Sequence, residues 1–392
     1  MKLSQRVSQI AISSTAAVFA KATQLKAAGV NLVDLGPGEP DFPTPKNIKH
    51  AAIQAIHENF TRYTSTDGIM ELKEAIIRRH AQDFQSDYTT NEVLVTVGGK
   101  HAIFNLISSL IESGDEVIIP SPYWVTFREA VHYTSGCCKF VPTDESDNFR
   151  VTASQIEAAF SPKTRLIMLN SPNNPSGAII RPEEMKKIAD LARCRGTMVL
   201  TDECYCHFNY QGLEPFSLAS LGKAYQDHVV VVGSVSKTYA MTGWRVGFCL
   251  GPARLIKAML KIQSHCTSNV NSIAQKAAVE ALIGPQASIL EMLGEYARRR
   301  DFIINALNAI TGITCNWPDG AFYAYPNVSH FLDSSRIPSV SDLALRILQE
   351  ARVAVVPGDA FGTKDHLRIS YATSMEQLQK GVIRLEKFFK TL

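Results

Sequence analysis

The chain sets a lysine, Lys237, just past the apolar run HVVVVG, in the stretch SVSKTYAMTGWRVGF (234–248). Ser234 and Ser236 flank it, and Arg245 follows before the next apolar run. Crowding beside Arg245 and partial burial lower an ammonium's pKa, and a neutral lysine is a nucleophile that condenses with an aldehyde to a Schiff base. Ser234, Ser236, Arg245 and the amides at Gly99-Lys100, where a helix is predicted to begin, are donors suited to a phosphate monoester. Two further groups close apolar runs: Asp202-Glu203 after MVLT, and Asn173-Asn174 after LIMLNSP. Ordinary turn chemistry explains each singly; together they bring anion donors, an acid and a lysine to one crevice. A phosphate and an aldehyde on one molecule describe pyridoxal phosphate (PLP). Its pyridine nitrogen is an electron sink only when kept protonated, which calls for a buried carboxylate, and Asp202 is the candidate.

Other chemistries fit less well. No G-x-G-x-x-G follows the first strand, Gly233-Ser-Val-Ser-Lys-Thr lacks the second glycine of a P-loop, and Gly98-Gly-Lys-His has the wrong spacing. Cys204, Cys206 and His207 form a tight C-x-C-H cluster, but no second half of a zinc site stands at ligand spacing, so no metal is expected. The eight cysteines are scattered, several within apolar runs, as suits reduced thiols in a cytoplasmic protein. A formal net charge of +3 over 392 residues argues against a nucleic-acid surface, and Arg298-Arg299-Arg300 reads as a solvated helix face. No run approaches the ~20 apolar residues of a membrane span. The faint signal-peptide outline of MKLSQRVSQIAISSTAAVFAKA is interrupted by Gln9, Ser13, Ser14 and Thr15.

These groups need elements to position them. Seven apolar runs lie between residues 92 and 252: EVLVTVGG (92–99), EVIIPSP (116–122), CKFVPTD (138–144), TRLIMLNSP (164–172), MVLTDE (198–203), HVVVVGSVSK (228–237) and RVGFCLGP (245–252). Helical patterns alternate with them, such as 101–111 and 182–196, the latter opened by Pro182 and closed by Gly196. Runs without polar alternation predict a mostly parallel seven-stranded sheet covered by helices on both faces. RVGFCLGP follows its predecessor too closely for a helical crossover and is expected antiparallel. Beyond residue 285 come a long amphipathic helix (286–310) and the strand-like pieces GAFYAYP (320–326), RVAVVPG (352–358) and HLRISYA (366–372). The expected division is an N-terminal segment (1–45), a large α/β domain (46–285) and a small α+β domain (286–392), with the ligand at the carboxyl ends of the parallel strands.

Over essentially its whole length the sequence resembles the class I aminotransferases of the PLP-dependent aspartate aminotransferase fold family. SVSKTYAMTGWRVGF is similar to the family's cofactor-lysine signature, which implies Lys237 as the Schiff-base lysine (the internal aldimine) and Arg245 on the phosphate. SPNNPSG (171–177) resembles the asparagine motif, placing Asn174 on the pyridoxal oxygen. TDECY (201–205) resembles the Asp-x-x-Tyr motif, giving Asp202 for the ring nitrogen and Tyr205 for that same oxygen. VGGK (97–100) matches the phosphate-binding helix start, and SPYW (121–124) the stacking aromatic, Trp124. HLRISYA implies that Arg368 clamps the substrate α-carboxylate, and LGPGEPDFPTP (35–45) that Gly38 lies at the substrate. YTSTDGIMELKEAI (63–76) implies that Tyr63 reaches the phosphate of a neighbouring subunit, hence a homodimer with shared sites.

Lys100 and Thr15 resemble residues that hold a distal carboxylate in the bacterial aspartate aminotransferase subgroup. The implied reaction is ping-pong transfer of the amino group of L-aspartate to 2-oxoglutarate, with Lys237 also moving the α-proton. His101, Cys204 and the absence of a Lys-Pro pair before the serines of ISST depart from the pattern, the last arguing against prephenate as a further acceptor. Alternatives on the same fold are an aromatic, alanine or broad-specificity aminotransferase, or a PLP β-lyase. A PLP-sensing transcription regulator is disfavoured because the resemblance begins within the first fifteen residues.

Overall fold

The structure, a computed structural model, describes residues 3–11, 14–212 and 216–392, apart from the side chains of 14–19 and 26. A two-residue strand, β1 (Val33–Asp34), comes first. The seven apolar runs then form β2 (Val93–Thr96), β3 (Glu116–Ser121), β4 (Cys137–Pro142), β5 (Thr164–Asn170), β6 (Met198–Asp202), β7 (Val229–Ser234) and β8 (Gly247–Leu250). They make one sheet in the order β2-β8-β7-β6-β5-β3-β4. As the short connection predicts, β8 is antiparallel to both neighbours, while the remaining pairs are parallel.

Both faces of this sheet are buried, and successive residues divide between them. Val229 and Val231 join one hydrophobic cluster with Val199, Ile167 and Ile118. Val230 and Val232 join another with Leu200, Met168 and Ile119. This is why the runs lack polar alternation. The exception is the edge strand β4, where of its six residues only Val141 is buried and Phe140 is 42% exposed. Two helix limits follow local chemistry. The helix Pro182–Arg195 starts on its proline and ends at Gly196, whose φ of 65° closes it in the left-handed region. The helix Gly99–Leu110 starts at Gly98, φ 78°, where a Cβ would overlap the Arg245 guanidinium.

The C-terminal part holds the long helix Ala287–Asn308 and four short strands: β9 (Tyr323–Ala324), β10 (Val353–Ala354), β11 (Val356–Pro357) and β12 (Leu367–Ser370). The run RVAVVPG, expected as one strand, is split: β10 pairs parallel with β1, whereas β11 joins β12 and β9 in an antiparallel sheet. Val33 and Leu35 pack with Tyr296, Phe322, Val353 and Ile369 in one core, which brings the segment after β1 beside β12. No described helix is long and apolar enough to cross a membrane.

Candidate active site

A cavity of about 440 Å³ opens at the carboxyl ends of the parallel strands, where β5 ends at Asn170, β6 at Asp202 and β7 at Ser234. Twelve of the fourteen residues singled out from sequence line it: Gly38, Gly99, Lys100, Trp124, Asn174, Asp202, Tyr205, Ser234, Ser236, Lys237, Arg245 and Arg368. One end is an anion cradle. The helix Gly99–Leu110 begins at the cavity, with free first-turn amides and no acidic residue in that turn, and Ser234 and Ser236 line the cavity with it. Arg245 is exposed at the mouth, in a left-handed conformation (φ 55°) steadied by donation from its Nη1 to Thr242 O at 2.8 Å.

Lys237 sits in the turn beyond β7 rather than on the strand, and its Nζ donates to the Gly38 carbonyl. Its pKa falls from 10.5 to about 8. Burial is the main cause, with Cys204 and Glu39 opposing and Arg368 and Arg245 adding. The expected direction holds, but desolvation outweighs the Arg245 charge. Asp202 is 4% exposed, and burial pushes its carboxyl up to about 6 despite the amide of Cys204 donating to Oδ1 at 3.1 Å. The floor of the cavity thus holds an acid short of a positive partner and an amine short of solvent.

Arg368 extends from β12, is 4% exposed, and donates to Asn174 Oδ1 (3.1 Å) and the Gly36 carbonyl (2.6 Å). The faces of Tyr323 and Phe361 flank its guanidinium at 4.6 and 5.1 Å, and its Nε has no partner among the described residues. The Tyr205 and Tyr323 hydroxyls are 2.8 Å apart, both buried, with pKa values raised mainly by desolvation. A side chain at Gly38 would collide with the Tyr323 hydroxyl, so glycine is required where this loop crosses the site. Donation from Thr242 Oγ1 to Glu39 (2.8 Å) and from Thr44 Oγ1 to the Ala240 carbonyl (2.7 Å) ties the loop to the turn carrying Lys237. From the other side, Arg299 is 5% exposed and pairs with Asp41 at 2.7 Å.

The other two expected residues stand differently. Tyr63 stands 90% exposed on the surface, and the side chain of Thr15 lies outside the described residues. Sequence reasoning missed Tyr323, Gly36, Glu39 and Asn170. Tyr323, in GAFYAYP, carried only a strand signal, because nothing local marks it as the partner of Tyr205. Lys100 projects at the rim with Nζ 5.1 Å over the Trp124 ring, its pKa lowered by surrounding protein and by Arg245. Of the C-x-C-H cluster, Cys204 lines the cavity within 3.4 Å of Ser234 Oγ, whereas Cys206 and His207 face a separate cavity. Among the described residues no group of three His, Cys, Asp or Glu side chains is placed to hold a metal.

Residues 30–385 match the family model for aminotransferases of classes I and II. An aspartate aminotransferase of Geobacillus stearothermophilus is 42% identical, spanning 100% of this chain and 99% of its own. A Rhizobium meliloti aspartate aminotransferase structure superposes with a TM-score of 0.95 at 40% identity, covering 100% of this chain and 99% of that one. A Thermus thermophilus aspartate aminotransferase solved with maleate gives a TM-score of 0.93 at 39% identity, covering 99% of each chain. The lysine, acid, arginine and anion cradle thus stand in a fold these relatives share from end to end, and the chain belongs to the class I and II aminotransferase family and is an aminotransferase.

Proposed function

We propose that this aminotransferase holds PLP on Lys237 and moves the amino group of L-aspartate to 2-oxoglutarate by a ping-pong cycle. The observation that carries the reading is one cavity pairing a lysine drawn down to about 8 with a carboxyl pushed up to about 6, beside an anion cradle. The buried acid is suited to a protonated ring nitrogen, the amine to an aldehyde, and the cradle of Gly99, Ser234, Ser236 and Arg245 to a phosphate. When bound, the cofactor supplies an electron sink for the pair left at the substrate α-carbon.

The chain's own groups supply the rest. Asp202 would hold the ring N–H, and its burial strengthens that ion pair. Tyr205 and the free amide group of Asn174 would hold the ring oxygen, and Trp124 would cover one face. Arg368, which lines the cavity beside Gly38, would take the α-carboxylate. Lys237 Nζ, with a pKa drawn down to about 8, would take the α-proton, a task for which a pKa near working pH is best.

Aspartate is favoured by the names of the relatives and by maleate, itself a dicarboxylate, in the Thermus protein. Lys100 at the rim, with Thr15, would bind the distal carboxylate. The exposed Tyr63 supports a homodimer in which it reaches the partner's phosphate. We place the working enzyme in the cytoplasm, in keeping with eight free cysteines, and divide the chain at residues 45 and 285.

The test is a panel of amino acids with 2-oxoglutarate for wild type and Lys100→Ala. Losing one partner of a charge pair desolvated by substrate costs roughly 2–5 kcal/mol, so kcat/KM for aspartate should fall about 30- to several thousand-fold. Alanine and phenylalanine should be little affected. A small, uniform loss would mean that Lys100 acts only through its amide, and would favour an aromatic, alanine or broad-specificity enzyme.

A further inference from the structure

Behind the site, a second cavity of about 40 Å³ lies between the helix Met70–Phe84 and the ends of β6 and β7. Its lining includes Cys206, His207, Asp83, His80, Glu203 and Ser234, the last shared with the main cavity. His207 links two of them: Nδ1 is 3.1 Å from Cys206 Sγ and Nε2 is 3.1 Å from Asp83 Oδ2. Thr238 Oγ1 lies 3.4 Å from the same Nδ1, and Arg79 fixes Asp83 with bonds of 3.0 and 2.6 Å. Burial alone would keep the imidazole neutral, but Cys206 and Asp83 outweigh it and raise the His207 pKa to about 10. The charged ring then donates Nδ1–H to the sulfur and Nε2–H to the carboxylate. Across the cavity, His80 Nε2 and Glu203 Oε2 face each other at 3.7 Å on side chains 5% and 4% exposed, too far apart for a direct hydrogen bond, and neither atom has another partner among the described residues. The cavity has room for one or two water-sized molecules and a largely polar set of side chains on one wall, which suits a small polar guest.

We infer that Cys206 is an oxidant-sensitive thiol and that this cavity admits hydrogen peroxide to it. An imidazolium N–H held against a sulfur by a carboxylate is the arrangement that activates thiols as nucleophiles. The sulfur attacks one peroxide oxygen, an S–O bond forms and the O–O bond breaks. Sulfur is oxidised by two electrons and peroxide is reduced. The departing hydroxide takes the proton from His207 and leaves as water, giving a sulfenic acid and a neutral imidazole.

The other cysteines are less suited. Burial pushes Cys138, Cys249 and Cys315 up to about 12 and Cys204 well above its ordinary value. Cys137, Cys194 and Cys266 are exposed, and no histidine is hydrogen-bonded to them among the described residues. Cys206 is the described cysteine whose sulfur has a histidine nitrogen at hydrogen-bond distance and a cavity beside it, so a several-fold advantage over the exposed thiols is expected.

The experiment exposes the loaded enzyme to stoichiometric hydrogen peroxide, traps sulfenic acid with dimedone, and follows each cysteine peptide by mass spectrometry. Cys206 should be labelled first, several-fold faster than Cys137, Cys194 or Cys266. His207→Gln should slow it to their rate, and Cys206→Ser should abolish that label while keeping transamination. Equal or faster labelling of the exposed cysteines overturns the proposal, a result that needs no variant. So does an unchanged Cys206 rate in a His207→Gln protein that still transaminates.

Discussion

Replacing Lys237 by methionine in the protein freed of cofactor should reveal how much strain the buried amine carries. Methionine keeps the length and volume of the chain and removes only the titrating group. The folded pKa of about 8, against 10.5 for an unhindered lysine, means that the folded state binds this proton more weakly than the unfolded state. The group's contribution is therefore most favourable above pH 10.5 and is lost as pH falls through 8. At pH 7 the full shift applies, about 3 kcal/mol at 1.36 kcal/mol per unit. At pH 10 about 0.8 kcal/mol of that cost remains, so roughly 2.5 kcal/mol changes between the two conditions. An unfolding entropy of about 2.1 cal/mol/K per residue over 392 residues converts this to about 3 °C. The Tm of Lys237→Met minus that of wild type should accordingly be about 3 °C larger at pH 7 than at pH 10. Comparing the two differences cancels pH-independent effects, such as loss of the bond to the Gly38 carbonyl. A Tm difference that stays constant from pH 7 to 10 would refute the burial argument for Lys237.

Three further outcomes follow from the site. Asp202→Asn should retain the cofactor by absorbance but lose roughly 100- to 1000-fold in turnover, since single electrostatic groups contribute about 3–4 kcal/mol; near-normal turnover would remove Asp202 from its role. The loaded protein should be yellow, and borohydride should fix the chromophore to the peptide containing Lys237, whereas labelling of any other lysine contradicts the assignment. Mixing the impaired proteins Lys237→Ala and Tyr63→Phe should restore activity, because a hybrid dimer contains one site with neither change; failure despite demonstrated subunit exchange would argue against shared sites.

What the sequence determined by itself is whatever local chemistry writes down. The seven runs of the large sheet, the reversed direction of β8 and the limits of the helix Pro182–Arg195 follow from periodicity, connection length, and a proline and glycine at the ends. Most of the cavity lining was legible too, because strand-end residues converge in a parallel sheet wherever the strands come from. Tertiary structure alone decided the rest. RVAVVPG divides between two sheets because Val353 meets Val33, far back in the chain, while Val356 meets Arg368 on the following strand, a choice no residue within the run makes. β4 is apolar yet exposed because it fell at the sheet edge. Arg368 is aimed by the Gly36 carbonyl, 332 residues distant, and Tyr205 is capped by Tyr323, 118 distant. Cys206 and His207 are neighbours in a turn, but the carboxylate that meets His207 arrives from Asp83 on the helix Met70–Phe84. Periodicity and turn residues encode what one segment does; which side chains from distant segments share a desolvated space is settled only when the cores close.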